Sequence, residues 1–242
     1  MYTIHIAYLY YDLFNLYGEN GNIKVLKKEL ENQGLKVAIH FLTIGDELNF
    51  NDYDLVYIGA STEDNQKLVI PHLSKYKDDI QKAIDNNKFF LITGNAIELF
   101  GKYILDQNNN KIDSLNIFSY HTEVASKRLI DESIMRCNFI DEPIIGFQNQ
   151  STYIVDNEYP MFSIIKGIGI KQGLSNEGIK YHNFYGTYLL GPILVRNPKL
   201  LKYFICELIY TKDKNFKFKD FDLNLNEEAY KCFINNFYQN IN

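Results

Sequence analysis

The chain has 242 residues, 46% of them apolar and 23% charged, with a formal net charge of −5 at pH 7. That is enough chain for one large domain with a sizeable core, and the acidic balance argues against nucleic acid or an anionic membrane surface as a partner. No run of about eighteen apolar residues occurs, and the opening MYTIHIAYLYYDLF alternates like a strand rather than reading as a secretion signal, so a cytoplasmic protein without membrane insertion is expected.

The first half alternates strands with helices. Residues 2–9 (YTIHIAYL) read as a strand, and NGNIKVLKKELENQG (20–34) carries Ile23, Leu26 and Leu30 at helical spacing with Gly34 as its stop signal. LKVAIHFLTI (35–44) returns as a strand. DLVYIGA (54–60) is nearly continuous in apolar side chains, as a strand buried on both faces requires. A helical region over 64–87 is interrupted near Pro71, and KFFLIT (88–93) is the next strand. Such alternation implies a parallel sheet covered by helices on both faces.

From about 102 to 190 the texture changes to short strand-like pieces separated by polar turns: NIFSYHTEV, KRLIDESIMRCNFI, PIIGFQNQSTYIV and MFSIIKG. These predict a mostly antiparallel extension of the first sheet. Two helices close the chain, 198–210 and 224–240. The KDKNFKFKDFD stretch between them reads as a solvated loop, with a partner patch as the alternative. With no Pro/Ser-rich linker and no repeat, residues 1–212 read as one domain, with 213–242 as a loop and helix packed on it.

Cys137, Cys206 and Cys232 are odd in number and far apart, and no CxxC or HExxH pairing suggests a metal. Cys137 falls in a strand-like piece and the other two in helices, so packed, reduced thiols are expected. The Asn149-Gln150-Ser151 sequon reads as chance.

The stretch FLITGNAIELFG (90–101) is a strand, a tight turn and a helical start, the junction at which many enzymes expose a nucleophile. No cysteine or serine stands at this turn.

Five ordered blocks resemble one family. YYDLFNLYGENGNIKVLKKELENQGL (10–35), DLVYIGASTEDNQ (54–66), FLITGNAIELFGKYI (90–104), IIGFQNQSTYI (144–154) and NEGIKYHNFYGTYLLGPILVRNP (176–198) are similar to the CobB/CobQ-like class I glutamine amidotransferase domains. Among these the likeness is to the GatD-like amidotransferase subunit of lipid II isoglutaminyl synthase. The resemblance implies a flavodoxin-like α/β fold in a subunit that hydrolyses glutamine and passes ammonia to a Mur-ligase-like, ATP-dependent partner. That partner amidates the D-glutamate of the peptidoglycan stem. No cofactor is expected on this chain; ATP and Mg belong to the ligase.

In this family a cysteine thiolate attacks the glutamine amide, a histidine activates the thiol and protonates the departing ammonia, and backbone N–H groups hold the oxyanion. Ungapped alignment places Gly94 at the nucleophile and Leu190, in GTYLLGP, at the base. The implied consequence is a subunit without glutaminase activity, a structural or regulatory partner of the ligase. Alternatives are an active amidotransferase for lipid II or a cobyric-acid-like substrate, with its nucleophile and base elsewhere, and a small-ligand binding module for glutamine or a related molecule.

Neither Thr93, turned to the other face by one residue, nor His182, roughly 26 Å from Leu190 in extended chain at about 3.3 Å per residue, fits as a substitute. Gly59, Ala60 and Ser61 match the glycine-rich oxyanion loop, against a simple tight strand exit. Asn95 follows the nucleophile position. Glu98 stands where a glutamine is usual, adding negative charge near the pocket or complementing a helix N-terminus. Arg128, beside Lys127, is a possible substrate contact or a solvated strand residue. Asn20 and Asn22 are candidate caps of the first helix.

Overall fold

The computed structural model describes residues 2–171 and 173–238. Its parallel core comprises β1 (Thr3–Leu9), β2 (Lys36–Leu42), β3 (Leu55–Ile58) and β4 (Phe89–Thr93), connected through α1 (Asn20–Asn32), α2 (Glu63–Leu73) and α3 (Lys77–Asp85). The remaining strands are β5 (Tyr103–Leu105), β6 (Lys111–Asp113), β7 (His121–Arg136), β8 (Ile144–Val155), β9 (Pro160–Lys166), β10 (Asn176–Tyr181) and β11 (Phe184–Thr187). The chain then runs through α4 (Ile193–Arg196), α5 (Pro198–Tyr210) and α6 (Asn224–Phe237). Residues 239–240 of the expected last helix lie outside the described residues.

All strands join one sheet in the order β2-β1-β3-β4-β11-β10-β9-β7-β5-β6, with β8 paired to β7. The first five run parallel; from β11 through β10, β9, β7 and β8 every pairing is antiparallel. This is the mixed α/β architecture expected, with one change. FYGT, within the region read as antiparallel, forms β11 and enters the parallel core beside β4, Phe184 opposite Phe90 and Thr187 opposite Thr93.

Alternation along the core strands sorts the two faces. Ile4, Ile6, Tyr8, Phe89 and Leu91 pack beneath α1 and α5 with Leu26, Leu30, Leu201 and Phe204. Ala7, Leu9, Phe90 and Ile92 pack beneath α2 and α3 with Val69, Leu73, Ile80 and Ile84.

Several local readings change. Pro71 lies inside α2, and the break comes three residues later in a 3₁₀ turn at Ser74–Tyr76. The two pieces NIFSYHTEV and KRLIDESIMRCNFI are largely one strand, β7, whose register against β8 shifts between Val124 and Leu129. Cys137 follows that strand rather than lying in it. The first helix is not capped by Asn20 or Asn22: the Asn15 side chain accepts the Asn20 N–H at 2.9 Å, and Asn22 is buried. Nor is KDKNFKFKDFD simply solvated. Phe216, Phe218 and Phe221 pack against the core beneath α5, while Lys219 bonds Gln33 and the Asn32 carbonyl at the end of α1.

Candidate functional site

Gly94 directly follows β4, a central strand with all five residues buried, at the carboxyl edge of the parallel sheet where ligands of such sheets bind. Its φ of +63° is a left-handed conformation that glycine adopts without steric cost. The following segment, Gly94–Phe100, is 3₁₀ rather than α-helical.

The loop after β3 and the turn after β11 converge on this corner. A Cβ built on Gly94 would lie 2.5 Å from Ala60 Cβ and 3.0 Å from Leu190 Cδ2. The positions aligned with nucleophile, oxyanion loop and base are therefore side by side, and no space is left between them for a side chain. Leu190 is fixed by a two-way bridge to Phe147, donating its N–H at 2.8 Å and accepting at 3.2 Å. Over this corner remains a void of about 10 Å³, room for about one water molecule.

The residues that align with the family's oxyanion loop take up internal roles. Ser61 donates its backbone N–H to Asn95 Oδ1 at 2.9 Å, so an amide carbonyl of the chain itself occupies that donor. Ala60 gives its carbonyl to the Leu16 N–H. Gly59 faces the Phe14 carbonyl and Glu19, where an added Cβ would stand 2.6 Å from that oxygen.

Arg128 sits in the β7–β8 register shift, an irregularity that re-aims a side chain. It is not merely solvated: Nη1 lies 3.3 Å from Glu63 Oε1, and Nε donates to Asn149 Oδ1. Ser151 Oγ donates to the same Glu63 oxygen at 2.7 Å, and Asn149 donates to Tyr17 Oη at 3.0 Å. These exposed polar links cover the mouth above Gly94.

Glu98 is neither exposed nor at a helix N-terminus. It is buried, accepting from Thr152, from Gln66 at 3.1 Å and from Tyr188 at 3.1 Å. Burial drives its pKa up to about 7 against the opposing effect of those bonds. Two further buried carboxyls escape sequence reasoning. Glu19 accepts from Thr93, from Tyr57 at 3.2 Å and from the Gly191 N–H at 3.3 Å, tying β3, the end of β4 and the turn after Leu190 together. Glu177 accepts from Thr187 and from the Tyr188 N–H, both at 2.7 Å, and secures β10 to the chain leading to Leu190. Burial raises both to about 7. A glutamate in a turn and one in a hairpin look alike in sequence; burial is decided only when the turns converge.

Among the described residues no cysteine or histidine stands at the corner. Thr93 donates to Glu19, the carboxyl that also accepts the Gly191 N–H. His182 precedes β11, at the amino end of the strand whose carboxyl end lies beside Thr93. Cys137 packs in the cluster beneath α5, Cys206 is half-buried on α5 and Cys232 is exposed on α6.

A family model, the CobB/CobQ-like glutamine amidotransferase domain, matches residues 5–198. The chain is 30% identical over 202 residues to subunit GatD of a glutamine-hydrolyzing lipid II isoglutaminyl synthase from Streptococcus pneumoniae, covering 82% of this chain and 78% of that one. To the corresponding GatD subunit from Staphylococcus aureus it is 26% identical over 222 residues, covering 92% and 91%. Its fold is similar to that of a glutamine amidotransferase from Thermotoga maritima, with TM-score 0.54, 12% identity and coverage of 95% and 92%. It also resembles the acivicin-bound glutaminase domain of a Trypanosoma brucei CTPS, with TM-score 0.50, 8% identity and coverage of 90% and 98%. With the fold and the matched domain in agreement, the chain belongs to the CobB/CobQ-like glutamine amidotransferase family.

Proposed function

We propose that this chain is a GatD-type amidotransferase subunit without glutaminase activity, a structural or regulatory partner of a Mur-ligase-like, ATP-dependent subunit that amidates a cell-wall precursor. The observation that carries this reading is the Gly94 corner. Glycine offers no nucleophile, leucine offers no base, and Ala60 and Leu190 occupy the volume a nucleophile's Cβ needs. Glutamine hydrolysis needs a thiolate formed by proton transfer across about 3 Å, and neither glycine at 94 nor leucine at 190 carries a group that exchanges a proton. ATP and Mg act on the partner, and ammonia reaches the ligase by a route that does not require hydrolysis here.

The surrounding frame supports a retained binding role. Glu19 and Glu177 hold both turns in place through bonds that involve neither the Gly94 nor the Leu190 side chain. The test is glutamate release from glutamine by the purified chain, alone and with a Mur-ligase-like subunit. The expected rate is that of buffer, and a thiol-reactive glutamine analogue labels no cysteine. Turnover above buffer that disappears on changing one residue overturns the reading. Failure to co-purify with a Mur-ligase-like protein overturns the partnership.

A further inference from the structure

The strand order of the sheet ends at β2 on one side and at β6 on the other. β6 is three residues long, with Lys111 and Asp113 paired to each other at 3.1 Å, the short and charged form in which exposed edges are guarded. β2 has none of these guards. It runs for seven residues, KVAIHFL, without proline or bulge and in unbroken register with β1, and its one charge is Lys36 at the first position.

The bonds to β1 decide which backbone groups of β2 are left over. Leu42 gives its carbonyl to the Tyr10 N–H at 2.5 Å, so its backbone faces β1, and alternation along the strand turns Ala38 and His40 the same way. Val37, Ile39 and Phe41 therefore direct their N–H and C=O groups out of the sheet, where no hydrogen bond among the described residues takes them. The same row is closed at both ends within the chain. The Leu35 N–H goes to the Leu30 carbonyl at 3.2 Å, and the Thr43 N–H goes to Asp46 Oδ2 at 2.8 Å. What stays open is centred on Ile39, with one free residue on either side. Beside it Phe41 is more than half exposed, its ring 5.2 Å from that of Tyr11, itself exposed.

We propose that β2 pairs antiparallel with β2 of a second copy of this chain, about a two-fold axis at Ile39. In that register Ile39 faces its own counterpart and Val37 faces Phe41 in both directions, each as a pair that exchanges two N–H···O bonds, so every free group of the row finds a partner. Val37 against Phe41 is a β-branched residue against an aromatic one, a favourable cross-strand pair. Charge selects the same orientation. Lys36 forms no ion pair among the described residues, and at the other end of the strand Thr43 holds Asp12 through its hydroxyl at 2.7 Å and Asp46 through its N–H, neither carboxylate meeting a cation. Antiparallel pairing sets Lys36 opposite Leu42 of the second copy, next to that copy's Thr43 and its two carboxylates; a parallel partner sets like ends together. The two-fold axis uses up both long edges, so the assembly closes at two chains. The pairing is independent of whether the chain hydrolyses glutamine.

The experiment joins analytical ultracentrifugation of the full chain, up to about 1 mM, with amide hydrogen exchange at high and low concentration. A species of twice the chain's mass is expected at high concentration. There the Val37, Ile39 and Phe41 amides are protected, and on dilution they exchange freely, while the Ala38 and His40 amides, bonded to β1, stay protected at both. Ile39→Pro removes an outward N–H, which an edge strand tolerates, and Phe41→Lys changes an exposed side chain; each abolishes the dimer with circular dichroism unchanged. Lys36→Glu raises the dissociation constant by about tenfold. If Ile39→Pro fails to fold, Phe41→Lys and the exchange pattern of the unaltered chain decide. A single-chain species at every concentration overturns the proposal, as does a dimer indifferent to Phe41→Lys whose Val37, Ile39 and Phe41 amides exchange freely, or an open series of larger assemblies. Edge amides protected only when a Mur-ligase-like subunit is added assign the edge to the ligase and overturn the pairing of copies.

Discussion

Replacing Gly94 by alanine inserts one methyl group at the most crowded point of the corner. Two costs add. An L-residue held at φ +63° pays about 1–2 kcal/mol for the left-handed conformation. The new Cβ at 2.5 Å from Ala60 Cβ forces a shift of backbone-borne atoms, an overpacking cost of about 1–3 kcal/mol, while Leu190 Cδ2 at 3.0 Å yields by a change of rotamer. The expected destabilisation is about 2–5 kcal/mol. Ala60→Gly removes the first clash and leaves the conformational cost. In a double-mutant cycle followed by urea unfolding, the pair is therefore expected to couple favourably by about 1–3 kcal/mol. Strictly additive effects, or a Gly94→Ala variant within about 0.5 kcal/mol of the parent, the range of an ordinary surface change, refute the packing of the corner derived above.

Gly94→Cys is expected to remain inactive toward glutamine, with or without Ala60→Gly, because Leu190 supplies no base; appreciable glutamate release from either variant shows that the base stands elsewhere. Asn22→Ala is expected to cost about 2–4 kcal/mol in chemical denaturation, since it deletes the buried acceptor of the Leu194 N–H at 2.9 Å and a donor to Tyr57 at 3.0 Å. Stability is expected to depend on pH through Glu98, whose pKa rises from 4.5 unfolded to about 7 folded. Its contribution is fully present below pH 4.5 and is lost as pH rises through 7, a change of about 3 kcal/mol. Glu98→Gln, whose carbonyl accepts from Gln66 while its amide donates to a hydroxyl of Thr152 or Tyr188, removes that dependence; parallel stability curves for parent and variant between pH 5 and 8 contradict the raised pKa.

The parallel core was legible because two of its strands, in DLVYIGA and KFFLIT, are continuous apolar runs bounded by turn signals and buried on both faces, and strands alternate with helices along the first half of the chain. The extension was not. β11 is four residues long, and only Phe90, Leu91, Ile92 and Thr93 alongside it decide that it runs parallel. β7 was read as separate pieces because the irregularity carrying Arg128 interrupts its alternation. At the site, Gly94 and Leu190 were found through the motifs around them, whereas Glu19 and Glu177 lay in quoted blocks without any mark of burial. The surroundings of Arg128 and Glu98 were not legible along the chain, since the ion pair to Glu63 and the bonds from Gln66, Thr152 and Tyr188 all come from distant elements.

The bonding around the corner explains how such a frame stands with glycine at 94 and leucine at 190. The left-handed turn at Gly94 needs no side chain, and Leu190 is anchored through its backbone to Phe147. Glu19 reaches the turn through the Gly191 N–H and the strand end through Thr93; Glu177 reaches it through Thr187 and Tyr188. None of these links uses a side chain at the two positions that align with the family's nucleophile and base. With glycine at 94 and leucine at 190 the carboxyl edge of the sheet is therefore held, and the Leu190 side chain closes over the Gly94 backbone. Such an edge still presents Arg128 and Glu63 to a ligand or a partner.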